Sequence, residues 1–569
     1  MSNRTWLLWS VGAGLLGGLV ALFVRHPFPI DETRYLAVAW EMHWRDVWLM
    51  PLLEGEPYVQ KPPLLFWLIR LGWLVFDVNA WWPRLLIVFF ALGVLWAVAA
   101  LMRRLTVRSS EKLEQGVPKV PAVPWGEPLR TAPAPWLAAA ALSGFIAWPA
   151  WSSALYFDVP LTFFVVLGAL MLLRLAETGR GGGWLALAAG LGALMKGPLV
   201  AVPFVGLVLG LPWWASHLPW RDRWRTVARA VGWGMVGALL PLAWLAAVYW
   251  RNGAETFWAV LEAQGIGRLG AGADHAAPWW WYLPVIIAMV WPLGWRGVLW
   301  KGATRASRQW GLRFVVAAVA PGVVLLSLIA GKRAQYVLPF LPFLAVAFAF
   351  AAHAVQHETN EREKRDAAFA AIRHFVLVLP LAAAALVLMV APWVPRWEET
   401  VAWLTPRWVV VGAGLGGIAL SYFWWLRRSE TKANVSAAVI AALMVAWCVV
   451  VWLSATASWA SQGAFDPQPI ATRITALRDA GRPVVFVDGR HHGAWHFAAR
   501  LKEPLPRIGT EEVSDWFAAH PDGVALVVVD HKRLRHGECL PWRSDWVCYR
   551  MAHQAPKPAA SSSGKSPQP

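Results

Sequence analysis

The sequence predicts a polytopic α-helical membrane protein of about 13 transmembrane helices, followed by a small C-terminal α/β domain. Three observations predict it. Of the 569 residues, 58% are apolar and only 15% charged, with a mean hydropathy of +0.45, a balance that a water-soluble domain does not carry. Apolar runs approaching the roughly 20 residues needed to cross a hydrocarbon core recur along most of the chain. The basic residues behind the formal charge of +18 sit in short loops between those runs, where the positive-inside bias places them. That distribution argues against nucleic acid as a partner.

In chain order the expected spans are 5–24, 83–102, 135–152, 160–175, 183–195, 197–214, 230–250, 281–299, 314–330, 334–352, 373–392, 407–426 and 435–453. The first follows a lone Arg4 and lacks a small-residue cleavage site before Arg25-His26-Pro27, so it is expected to be retained rather than removed as a signal peptide. The run 62–77 is read as an interfacial helix. Counted as a span, it would put Arg103, Arg104, Arg108 and Lys112 on the side of the 25–61 loop and invert the charge bias of every later loop. As an interfacial helix it leaves loops 103–134, 215–229, 300–313, 353–372 and 427–434 cytoplasmic, together with the N-terminus. Segments 25–82, 153–159, 251–280, 331–333 and everything after 454 then lie outside. The run 183–195 is short and must be tilted, thinned or broken if it crosses. Tryptophans such as Trp213-Trp214, Trp279-Trp280-Trp281 and Trp424-Trp425 fall near run ends, where indoles favour the headgroup level.

These divisions give a membrane domain over 1–454, an α/β domain over 455–551 and a tail, 552–569, too polar to fold. The α/β reading rests on apolar strands at 483–488 and 524–530 around a helical stretch at 511–519. Cys448 lies in an apolar run. Cys539 and Cys548 flank a polar turn and can pair if that domain faces an oxidising compartment. No CxxC or Cys/His spacing suggests zinc.

Charge is scarce elsewhere, which makes five outer groups informative. Asp31-Glu32-x-Arg34-Tyr35 opens a helix with both acids near its positive end and Asp31 and Arg34 on one face. A helix cap with an interfacial ion pair would also account for it. Tyr58-Val59-Gln60-Lys61-Pro62-Pro63 presents Lys61 on a stiff backbone, although a lysine at that depth can simply snorkel. Asp158 is the one charge of its short turn, either a helix cap or a second carboxylate beside Asp31. Lys196-Gly197-Pro198 is a charged break that needs a cavity or a protein partner. Lys332-Arg333, followed by Tyr336, places cations against the positive-inside bias and so points to an anionic ligand. The 251–280 loop adds Glu262, Gln264, Arg268, Asp274 and His275.

The motifs DETRYLAVAWEM, LEGEPYVQKPP, FDVPLT, MKGPLVAV, APWWWYLPVIIAMVWPLGW and GKRAQYVLPFLPFLAV, in this order, resemble the bacterial polyprenyl-phosphate-dependent GT-C glycosyltransferases of the lipid A aminoarabinose transferase and protein O-mannosyltransferase type. The resemblance runs from about residue 5 to 455. It implies the GT-C fold, Asp31 as the catalytic carboxylate and Asp158 as a second functional acid. It also implies that Arg34, Lys61 and Tyr336 hold the carrier phosphate with Lys332 and Arg333 nearby; Glu32, Tyr35, Tyr58, Lys196 and Arg268 are expected to support the site. Lipid A enzymes place a Glu before this lysine to bind a divalent metal with a later His. Here Gln60 stands at that position, and an amide is a weaker ligand than a carboxylate, which weakens a metal at His275.

The expectation is a glycosyltransferase of the bacterial inner membrane acting at the periplasmic face. It would move a sugar, 4-amino-4-deoxy-L-arabinose among the candidates, from polyprenyl (undecaprenyl) phosphate to lipid A or another envelope acceptor. Transfer to protein or to an envelope glycan shares the donor chemistry. A lipid-phosphate flippase would bind with the same cations and break no bond, but no internal repeat of spans supports a transporter.

Overall fold

The computed structural model describes residues 1–114, 134–265, 275–296, 310–356, 367–395, 403–428, 435–489, 491–530 and 537–552. Arg268 and Asp274 of the expected site fall outside them, as does the tail from 553 onward. Ten helices among the described residues are long and apolar enough to cross a bilayer, and the chain is a multi-pass membrane protein. The expected thirteen spans are not reached by that measure. The run 135–152 forms two short helices, Pro135–Ser143 and Ala147–Ser152, and the described part of 281–299 is likewise short. The run 183–195 and most of 197–214 fall within one apolar stretch, Gly182–Leu209.

Helix α1 (Asn3–Leu19) runs into a π-helical turn, Val20–Val24. Helix α2 (Asp31–Trp44) follows, with Asp31 and Glu32 in its first turn and His43 in its last, each matched to the helix dipole. A hairpin of β1 (Leu52–Leu53) and β2 (Glu56–Pro57) turns at Glu54-Gly55, where Gly55 takes φ 84°. Pro62-Pro63 then sets the start of α3 (Leu64–Phe76), which at 13 residues is too short to span and packs against α2 and against α4 (Trp81–Glu114).

Helices α5 (Pro135–Ser143) and α6 (Ala147–Ser152) lead to α7 (Asp158–Thr178), closed by Gly179 at φ 70°. Helix α8 (Gly182–Lys196) ends at Gly197, also at φ 70°. Val200 packs directly back on Gly192, so the chain reverses there into α9 (Ala201–Leu209) and α10 (Leu211–Trp214). Helix α11 (Trp220–Gln264) breaks at Gly253 and is followed by α12 (Tyr282–Met289). Helices α13 (Trp310–Leu328), α14 (Leu341–Gln356), α15 (Ala367–Val390), α16 (Trp408–Arg428) and α17 (Val435–Ala460) complete the membrane part.

Beyond α17, α18 (Gln468–Asp479), β3 (Val484–Val487), β4 (Arg507–Ile508), α19 (Val513–Ala519), β5 (Val524–Val529), β6 (Glu538–Trp542) and β7 (Asp545–Arg550) build a five-stranded sheet of order β4-β3-β5-β7-β6. The first three strands are parallel, and β7 joins antiparallel to β5 and β6. All of β3 is buried because alternate residues enter different cores: Val484 and Phe486 pack with α18, Val485 and Val487 with α19. Cys539 and Cys548 face each other across β6 and β7 and are disulfide-bonded.

The sheet domain sits on α2 and the hairpin. Trp40 Nε1 donates to Leu501 O at 2.8 Å, Gly493 N donates to Glu54 Oε1 at 2.6 Å, and Phe497 stacks on Trp73. Gly493, at φ 66°, lies so close to Ala37 and Leu53 that a Cβ would meet both below 3 Å.

Candidate active site

Five distant segments converge on one cavity of about 680 Å³. From α2 come Arg34 and Tyr35. The turn after the hairpin supplies Tyr58, Gln60 and Lys61, and is set by Tyr58 N donating to Pro51 O at 2.7 Å and by Gln264 Nε2 donating to Val59 O at 3.3 Å. The first turn of α7 supplies Asp158, the last residue of α8 Lys196, and the 331–336 segment Arg333 and Tyr336.

Asp31 stands one step behind this wall. Its Oδ1 accepts from Arg34 and its Oδ2 lies 4.0 Å from Arg333 Nη1, so the carboxylate sits between two guanidiniums. Arg333 is carried there by a short antiparallel ribbon, in which Lys332 N donates to His275 O and Ala277 N to Ala330 O. Asp158 and Lys196 form a buried ion pair, 2% and 5% exposed, with Lys196 Nζ 5.0 Å from the centre of the Tyr336 ring. The carboxylate of Asp158 is thus committed to Lys196, which suits it to holding that cation rather than to taking a proton.

Besides Asp31, two expected residues do not reach the cavity wall. Lys332 is buried, donates to Ile329 O at 2.5 Å, and has its ammonium pKa lowered by that burial. The ribbon alternates its side chains, so Arg333 faces Asp31 while Lys332 turns inward. Glu32 is also buried. It pairs with Arg25 and accepts from Leu155 N at 3.2 Å, tying the start of α2 to the turn before α7. Tyr35 packs edge-on against Phe157, and burial, then nearby Asp31, pushes its phenol well up, leaving a hydrogen-bond donor at neutral pH.

Sequence reasoning missed the cavity mouth. Glu54 and Glu56 of the hairpin, with His492 and Arg507 of the sheet domain, line it. Arg507 lies 3.9 Å from both Glu54 and Glu56, and His491 Nδ1 lies 3.1 Å from Glu54 Oε1. The Leu-Glu-Gly-Glu-Pro turn and the His491-His492 pair were the available signals, but their meeting depends on domain docking.

Among the described residues the donor set does not suit a divalent metal. His275 Nε2 is 2.9 Å from Arg333 Nη2, a donor that engages the ring nitrogen's lone pair. Gln60 offers only an amide, and among the described residues no group of three His, Cys, Asp or Glu could hold an ion.

No family model matches the chain. Among curated proteins it is 29% identical over 366 residues to undecaprenyl phosphate-alpha-4-amino-4-deoxy-L-arabinose arabinosyl transferase 2 of Pseudomonas fluorescens. It is 32% identical over 365 residues to the transferase of that name from Pseudomonas aeruginosa strain UCBPP-PA14. Each alignment covers 61% of this chain and 59% of the relative, so the chain matches about three-fifths of the length of these proteins. Among solved structures, ArnT from Cupriavidus metallidurans bound to undecaprenyl phosphate superposes with a TM-score of 0.65 at 18% identity, covering 97% of this chain and 99% of that one. Its apo form superposes with a TM-score of 0.61. The fold expected from the motifs is the fold the chain has.

Proposed function

We propose that this chain is a polyprenyl-phosphate-dependent glycosyltransferase. It moves a sugar, aminoarabinose being the candidate its relatives' names suggest, from an undecaprenyl phosphate donor to lipid A or another envelope acceptor. The observation that carries the reading is the convergence of Arg34, Lys61, Arg333 and Tyr336 on one cavity of a multi-pass membrane protein, with Asp31 just behind it between Arg34 and Arg333. The Cys539–Cys548 disulfide favours an oxidising compartment for the sheet domain. With the loop charges, that supports the inner membrane, a cytoplasmic N-terminus and a periplasmic cavity.

In this reaction the bond from the anomeric carbon to the phosphate oxygen breaks, its electron pair leaves with the phosphate, and an acceptor oxygen attacks from the opposite face. Lys61, Arg34 and Arg333 stabilise the charge gathering on the leaving phosphate, each such donor contributing about 3 kcal/mol to the transition state. The donor phosphate competes with Asp31 for Arg34 and Arg333, so donor binding releases the carboxylate toward the acceptor. For a hydroxyl acceptor Asp31 takes the proton. For an ionised phosphate acceptor it orients the attack instead.

Asp31→Asn, assayed in membranes with a labelled polyprenyl-phosphate sugar, is expected to lower transfer at least about 100-fold while the protein remains folded. Full transfer would sink the assignment of Asp31. Release of free polyprenyl phosphate by the unmodified enzyme separates transfer from flipping, and mass spectrometry of lipid A and envelope glycans from a deletion strain identifies the acceptor.

A further inference from the structure

Behind α2 lies a second cavity of about 330 Å³, bounded by the membrane helices on one side and the sheet domain on the other. Two arginines line it. Arg84, 7% exposed, donates from Nη1 to Ala21 O at 2.8 Å and Arg25 O at 2.9 Å. Arg500 donates to Phe497 O at 2.7 Å and Val78 O at 3.2 Å, and burial lowers its pKa. Among the described residues neither arginine forms an ion pair with a carboxylate. Arg84 is a buried cation whose hydrogen bonds go to carbonyl oxygens with no carboxylate in contact, an arrangement an anion would improve, while Arg500, at the exposed rim, holds its guanidinium 4.0 Å from the Phe497 ring centre and 5.5 Å from that of Trp40.

The cavity's position tells what anion is at hand. The apolar stretch Asn3–Val24 ends just before it and the next, Trp81–Thr106, begins with Arg84 in its first turn, so it lies at the edge of the bilayer. Around the ends of these stretches Phe23, Phe28, Phe76 and Trp81 are exposed, Phe23 by 79%, an apolar surface suited to acyl chains. Asp466, 3.8 Å from His26 on the same cavity, adds one carboxylate.

We propose that this cavity binds the headgroup of a zwitterionic membrane phospholipid, its phosphate between Arg84 and Arg500 and its ammonium toward Asp466. Basic side chains close to a membrane surface attract headgroup phosphates, and both arginines lie at that edge. The site lies against the catalytic helix without belonging to the catalytic cavity: Thr33 and Leu36 face the lipid site, while Arg34 and Tyr35 face the first cavity. A bound lipid therefore braces α2 from behind. The inference stands on its own observations and does not depend on the transferase reading.

The test is the thermal midpoint of the full chain in neutral detergent, titrated with phosphatidylethanolamine, with diacylglycerol of the same acyl chains, and with inorganic phosphate. Phosphatidylethanolamine is expected to raise the midpoint by several degrees, and the other two probes to leave it unmoved. Arg500→Gln is expected to weaken the apparent lipid affinity about tenfold. Arg84→Lys, which keeps the charge needed for folding, should weaken it too, while Lys502→Gln on the exposed surface should not. Lys61→Gln, which alters only the first cavity, should keep the full shift. An equal shift from diacylglycerol or from inorganic phosphate, a shift unchanged in Arg500→Gln, or a shift lost in Lys61→Gln would overturn the proposal.

Discussion

Lys196 shows what one residue costs and does in this fold. Its ammonium is buried at the end of α8, paired with Asp158 and set against Tyr336. Stripping away one partner leaves a buried charge uncompensated, so Asp158→Asn or Lys196→Met alone is expected to destabilise the protein by about 3–5 kcal/mol. The double variant should recover much of that loss, because no charge is left behind. Thermal midpoints of the three variants in detergent check this, and additive losses would show that the two residues are not coupled. The break Lys196-Gly197-Pro198 was visible in the sequence as a charge that needed a cavity, and so were Asp31, Arg34, Lys61, Arg333 and Tyr336 as outer groups. Direction was not visible. Adjacent Lys332 and Arg333 read as equals, and only the backbone pairing of their ribbon with His275 and Ala277 turns one to the site and the other away.

Among the elements, α3 was readable because charge in later loops excluded it as a span, and its 13 residues agree. The reversal between α8 and α9 was readable from Gly197-Pro198. The run 135–152 was not, since its composition is continuous while its helix is interrupted at Gly144. Of the five strands of the sheet domain, β3 and β5 were legible as apolar runs, whereas β4, β6 and β7 were not, being short or interrupted by polar residues, and the strand order was not legible either. That domain also carries a pH dependence. Burial, then Arg478, lowers the pKa of His496 from 6.5 to about 4. Above pH 6.5 both folded and unfolded chains leave it neutral. Between pH 6.5 and 4 the unfolded chain binds a proton that the folded one refuses, so stability falls with pH by about 3 kcal/mol across that window. Protection factors of the β3 and β5 amides, corrected for the intrinsic pH dependence of exchange, should fall from pH 7 to 4.5, and His496→Phe should lessen that fall, the remainder coming from His491, whose pKa burial lowers to about 3. An unchanged profile in that variant would mean other groups govern it.

For the whole molecule, the charge bias of its loops and the disulfide of its last two strands point to one orientation. A reporter that is active only after export, fused after residue 552, is expected to be active, and the same reporter inserted in the 215–229 loop should be silent. The reverse pattern would invert the topology. Composition alone disclosed the membrane class. It could not disclose that the sheet domain closes the cavity, because that closure rests on contacts between residues more than 400 positions apart. One of them sets a clock. Trp40 on α2 waits for the carbonyl of Leu501, 461 residues later, so the helix that carries Asp31 is synthesised early and anchored last. A nascent chain still emerging from the ribosome holds α2 without the frame that fixes it, and the cavity is complete only when synthesis has passed the sheet domain.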